Sequence, residues 1–207
     1  MPNYNRIANV YDRLSRLVYG NAIVRAQQYL VSFIPANSRI LIVGGGTGWI
    51  LEEITKLHPQ GLEIYYVEIA DKMLELSRKR NIGNNKVHFI GKSIEELEDI
   101  GGIDVAFTAF LFDNFTQQTA NDIFKNMERR LVAGALWLYS DFQVSSKQMW
   151  WQKPLLHSML LFFRTMGVIS NDQLPDMQSI FQREGFTLKS REEFYGHFVA
   201  SAVYTRS

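Results

Sequence analysis

Gly44, Gly45, Gly46, Thr47 and Gly48, with an acid 20 positions beyond the last of them, Glu68, are the residues of this chain best suited to hold a nucleotide-like ligand. Glycines turn the backbone without a Cβ in the way, so that N–H groups and a helix N-terminus can approach a polar ligand. A carboxylate ending the next strand has two oxygens, each able to accept from one of two vicinal ribose hydroxyls. Taken alone, Glu68 reads equally as an acid solvated at a strand end; its distance from the glycines singles it out. The dinucleotide fingerprint is excluded, because its third glycine falls on Trp49 counted from Gly44 and on Leu51 counted from Gly46. The Gly-Lys-Ser/Thr run of a phosphate-binding loop is missing as well. Two more acids, Asp113 and Asp141, follow the fourth and fifth predicted strands, on the edge where open α/β sheets build their sites. There a carboxylate can contact a substrate or take a proton, though each also reads as an ordinary turn acid. His157 and His197 are further acid/base candidates, imidazole being the side chain suited to proton transfer near neutral pH. The four histidines show no metal-ligand spacing, so no metal site is expected.

These residues need a scaffold, and the apolar spacing supplies one. Residues 4–18 place Ile7, Val10, Tyr11, Leu14, Leu17 and Val18 on one broad helical face. A second helix runs from Ala22 to Phe33. Strand and helix then alternate: strand 39–43, helix 48–58, strand 62–67, helix 71–80 with Asp71 as N-cap, strand 86–90, a helical turn over 94–97 and strand 103–108. A long helix capped by Thr116 and ended by Gly134 precedes strand 135–140. The alternation predicts an α/β fold with a parallel sheet and helices on both faces. A helical insertion rich in Trp, Leu, Phe and Met occupies 147–166, and a further helix over 173–184 stops at Gly185. Strands 186–192 and 197–205, joined through Tyr195-Gly196, imply an antiparallel hairpin.

Composition bounds the reading. With 207 residues and 46% hydrophobic content the chain suits one domain with a large core. A formal net charge of +1 gives no nucleic-acid footprint. The absence of cysteine excludes disulfides and thiolate metal sites and agrees with a reducing cytoplasm. The N-terminus lacks the apolar core of a secretion signal, and no apolar run reaches the roughly 18 residues of a membrane span. A cytoplasmic protein without a stable membrane span is expected.

Gly44-x-Gly46-x-Gly48 after a strand, with Glu68 closing the next one, resembles the class I S-adenosylmethionine (SAM)-dependent methyltransferases of the small-molecule type. The resemblance runs from about Tyr4 to the C-terminus. It implies a Rossmann-like, seven-stranded, mostly parallel sheet with a C-terminal antiparallel hairpin and an N-terminal helical cap. It also implies one domain: cap 1–36, cofactor-binding core 37–143, insertion or lid 144–170, and closing helix and hairpin 171–207. The implied activity is methyl transfer from SAM to a small lipophilic or aromatic acceptor, by a monomer or homodimer.

On the cofactor side the resemblance implies Gly44 to Gly48 and Glu68, with Ile69 against one adenine face. Met73, Ser93 and Ile94 would complete the adenine pocket, and Tyr11, within YNRIANVYDRL, would cover the cofactor. On periodicity alone Tyr11 is a core-facing aromatic, and Ser93 is a helix N-cap. Two positions depart from the family pattern: Ile42 stands where an acid helps hold the SAM amino group, and Ser93 where an acid accepts from the adenine amino group. On the acceptor side lie Asp113, Asp141, Trp150, Trp151 and His157, the last three in WWQKPLLHSMLLFFRTMG. That segment reads as a lid over the acceptor, a buried helix, a dimer contact or a membrane-surface element. Two other functions fit parts of the pattern. An aminopropyltransferase would share VGGGTG and VEI, but Thr47 replaces its loop Asp. A non-catalytic binding module would fit the losses at Ile42 and Ser93.

Overall fold

A computed structural model describes residues 20–97, 100–143 and 174–206. Seven strands form one sheet: β1 (Arg39–Val43), β2 (Gln60–Val67), β3 (Asn84–Ile90), β4 (Ile103–Ala109), β5 (Leu131–Phe142), β6 (Phe186–Phe194) and β7 (Val199–Arg206). Their order is β3-β2-β1-β4-β5-β7-β6. The first five pair in parallel, whereas β7 runs antiparallel to both β5 and β6. The order reverses between β1 and β4, which opens a crevice at the carboxyl ends of these two strands.

β1 shows why its sequence reads as an unbroken apolar run. Ile40 and Ile42 pack with α1 (Ala22–Val31) and α2 (Trp49–Leu57) on one face of the sheet. Leu41 and Val43 pack with α4 (Gln117–Glu128) and α5 (Met177–Arg183) on the other. A strand covered on both faces has no polar side to alternate with. The helix α3 (Asp71–Ser77) adds Leu74 to the first face. On the second face Trp137 is fully buried, stacks on Phe124 at 4.4 Å and donates its indole N–H to Thr108 Oγ1 at 2.9 Å. Ile42, which replaces the family's acid, is a core residue of the first face.

Several boundaries differ from the expected ones. The helix capped by Thr116, whose hydroxyl accepts from the Thr119 N–H, ends at Glu128, and β5 begins already at Leu131. Gly134 therefore lies inside β5 with φ +75°. There the register jumps from Ile103↔Leu131 to Val105↔Leu136, a kink for which a residue without Cβ is suited. Asp71 is the first helical residue, not the N-cap; Ala70 holds that place without a side-chain bond. The last helix starts at Met177, capped by Asp176, and Gly185 follows it at φ +77°. The helix expected over 4–18 and the insertion over 147–166 lie outside the described residues. Among the described residues no helix is long and apolar enough to cross a membrane.

Candidate functional site

The glycine turn leaves β1 at the reversal point. Gly44, Gly46 and Gly48 all have positive φ, at +69°, +62° and +77°. Their N–H groups are not bare, contrary to expectation. They donate to Val67 O at 2.9 Å, to Glu68 Oε2 at 2.9 Å and to Gly45 O at 3.3 Å, respectively. What the glycines provide is room. A Cβ on Gly45 would sit 2.3 Å from the Tyr66 ring, and one on Gly48 would sit 2.5 Å from Ser77 Cβ, where α2 meets α3. At Gly46 the same position meets open space, and this is the face left for a ligand.

Gly45→Ala is accordingly expected to cost about 1–3 kcal/mol, because the Tyr66 ring is fully buried and has nowhere to go. For a domain of this size each kcal/mol lowers Tm by about 2–4 °C. A thermal melt reads this, with Gly46→Ala as the comparison: it meets no contact and should cost only its backbone strain, about 1 kcal/mol.

Tyr66, near the end of β2, and Glu68, just beyond it, hold the Gly46 peptide between them. The Tyr66 hydroxyl donates to Gly46 O at 2.9 Å, while Glu68 accepts from Gly46 N through Oε2 and from Ala70 N through Oε1 at 2.8 Å. Glu68 is 7% exposed, and burial pushes its carboxyl upward against the pull of the Ala70, Gly46 and Ile69 N–H groups. These three N–H groups draw on its roughly four acceptor sites, which leaves capacity for a ribose hydroxyl. Thr47 is turned away from the open face: it is buried, and its carbonyl and hydroxyl accept from Arg80 at 2.9 and 3.3 Å.

On the adenine side the positions divide. Ile69 is 38% exposed at the end of β2, an apolar surface suited to a base. Met73 is buried against Ala70 and Leu76, and Ile94 belongs to the core of the second face. Both are buried, at 2% and 3% exposure. Ser93 holds the N-cap place of the 3₁₀ turn Ile94–Glu96, as expected, but its hydroxyl makes no cap bond.

The carboxyl ends of β4 and β5 bring Asp113 and Asp141 together, but not on an open rim. They are 5% and 2% exposed. Asp141 Oδ2 accepts from the N–H groups of Phe112 and Asp113 at 3.1 and 3.2 Å, and Oδ1 from Phe142 N at 2.9 Å. Asp113 Oδ1 accepts from the Asn114 amide at 2.7 Å. Burial pushes the Asp113 carboxyl up to about 7. Burial, and then the charge of Asp113, pushes Asp141 well above the usual range. Between β4 and these acids lie Phe110 and Leu111, both half-buried. Leu111 lies over the turn, with Cδ1 2.7 Å from where a Gly44 Cβ would be. Phe110 has φ +54°, a backbone conformation that costs a bulky residue about 1–3 kcal/mol.

Tyr66, Phe110 and Asn114 were not singled out in the sequence; only the period-two spacing of Tyr66 from Glu68 could have pointed to one of them. His197 pairs through Nδ1 with Glu193 on the exposed end of the hairpin. Tyr11, Trp150, Trp151 and His157 lie outside the described residues. Among the described residues no group of three His, Cys, Asp or Glu is placed to hold a metal ion.

A family profile described as "Methyltransferase domain" matches residues 40–134, the stretch from β1 into β5 that carries the glycine turn, Glu68 and the turn after β4. A malonyl-[acyl-carrier protein] O-methyltransferase of Bacillus cereus is 27% identical over 68% of this chain, and the chain spans 48%, about half, of that relative. Among solved structures, a mitomycin 7-O-methyltransferase superposes with a TM-score of 0.72 at 12% identity, over 99% of this chain and 61% of its own. A SAM-dependent methyltransferase from Aquifex aeolicus does so with a TM-score of 0.61 at 14% identity, over 93% of both chains. At such identities the superpositions establish the fold, and the sequence match over the glycine turn and Glu68 goes further. The chain matches the methyltransferase domain family over residues 40–134, and its fold is shared with SAM-dependent methyltransferases.

Proposed function

We propose that this protein transfers the methyl group of SAM to a small lipophilic or aromatic acceptor. The observation that carries the proposal is the pairing of an open Gly46 face beside Glu68 with apolar residues, Phe110 and Leu111, at the adjoining strand end. The donor set fits SAM: a buried carboxylate with acceptor capacity for the ribose, exposed Ile69 for the adenine, and a Ser93 hydroxyl not used as a cap. Bound SAM supplies an electrophilic methyl group and a neutral thioether leaving group, so the protein needs alignment, dryness and a base for a protonated acceptor. Leu111 and Phe110 exclude water beside the turn. Asp113 is the acid that we assign to proton transfer, since a base working near neutrality needs a proton affinity in that range. Asp141 is spent on three backbone N–H groups and acts as a positioning residue.

Two of the three proteins named above are O-methyltransferases, which makes oxygen the acceptor atom to test first. Incubation with methyl-labelled SAM and a fractionated metabolite extract is expected to place label in an apolar fraction. Label confined to polar or macromolecular fractions would overturn the acceptor class. SAM binding without any transfer would favour a non-catalytic module.

A further inference from the structure

Phe110 is the least economical residue of the site. Its φ of +54° is one that glycine adopts freely and an aromatic residue rarely does. Its ring is only half-buried, so core packing does not account for the choice. Yet the turn that carries it is held from every side. Phe110 N donates to Ser140 O at 2.8 Å. The Asn114 amide donates to Phe110 O at 3.1 Å and Leu111 O at 3.0 Å. Asp141 fixes the next two N–H groups, and the Phe142 ring supports Phe110 at 5.1 Å between centroids. Strain at a site persists only where the surroundings over-determine it, and from there the inference runs to function.

We infer that Phe110, at the carboxyl end of β4 next to Leu111, is the stacking platform for a flat aromatic acceptor, and that its left-handed backbone is what sets the direction of the ring. This deepens the methyl-transfer reading and rests on it for the place of the acceptor. Asn114 and Asp141 are then the positioning residues that keep the turn in this conformation.

Two substitutions separate ring from backbone. Phe110→Ala and Phe110→Gly both lose the ring, but only glycine relieves the backbone. Phe110→Gly is therefore expected to melt about 2–4 °C above Phe110→Ala, the reverse of the usual order. With protein saturated with S-adenosylhomocysteine, both should bind 2-naphthol about 5- to 10-fold more weakly than the unsubstituted chain, on the scale of a lost aromatic pair. Phe110→Tyr should bind it as before, and S-adenosylhomocysteine affinity should change less than about twofold in all three. Alanine melting at or above glycine would overturn the strain argument. Unchanged 2-naphthol affinity in both variants, or no binding by the unsubstituted chain, would overturn the platform. Transfer of label from SAM is measured separately: Phe110-dependent binding without transfer supports the platform and counts against the methyl-transfer reading.

Discussion

Glu68→Ala is expected to weaken SAM binding by about 10- to 100-fold, the equivalent of roughly 1.5–3 kcal/mol for hydrogen bonds to a charged group. Two losses combine. The ribose loses its carboxylate, and the Gly46 and Ala70 N–H groups lose the acceptors that fix the glycine turn and the start of α3. Calorimetric titration with SAM separates these losses when set beside Tyr66→Phe, which removes the bond to Gly46 O and keeps the ring under Gly45. If turn geometry dominates, Tyr66→Phe should reproduce a substantial part of the Glu68 effect. If the ribose contact dominates, Tyr66→Phe should stay within about threefold of the unsubstituted chain. Unaltered affinity in Glu68→Ala removes Glu68 from the binding site altogether.

What was legible in the sequence is what depends on local spacing. β1 and α2 follow from apolar periodicity around a glycine turn, and the hairpin from Tyr195-Gly196, where the chain takes positive φ at both residues. The limits of β5 were not legible, because Gly134 looks the same ending a helix as it does kinking a strand. Thr47, Met73 and Ile94 fall at the family's cofactor positions, yet they face Arg80, Ala70 and the core. A position in a motif fixes the backbone but not the direction of the side chain. Tyr66 and Asn114 escaped for the opposite reason. Their roles consist of bonds to carbonyls across a turn, which no residue pattern announces. Asp113 and Asp141 lie at the strand ends where they were expected, but burial changed what each can do.

That burial leads to the largest effect of pH. The Asp113 carboxyl, raised to about 7 in the fold, has an ordinary value of 3.8. Between those values the folded state keeps a proton that the unfolded chain has released, so stability falls as pH rises, by at most about 1.4 kcal/mol per unit. Asp141 is raised too, and the charge of each acid opposes ionisation of the other. At the acid end Glu63 and Glu193 work the other way. Each is lowered to about 2, Glu63 first by its bonds to Lys86 and His88, Glu193 first by its bonds to Gln143 and His197. The stability they contribute is present above 4.5 and lost as pH falls through 2. Both pairings are solvent-screened and worth little. Melting temperature should therefore peak on the acid side of neutrality and decline from about pH 5 to about pH 8. Asp113→Asn, which keeps the shape and removes the charge, should flatten that decline and melt higher than the unsubstituted chain at about pH 8. It should also lower turnover and remove the limb of the kcat–pH profile near 7, with SAM affinity unchanged. A decline that survives Asp113→Asn would assign the titration to Asp141. Full turnover in the same variant would leave Asp113 a structural acid and the reaction without a base from this pair.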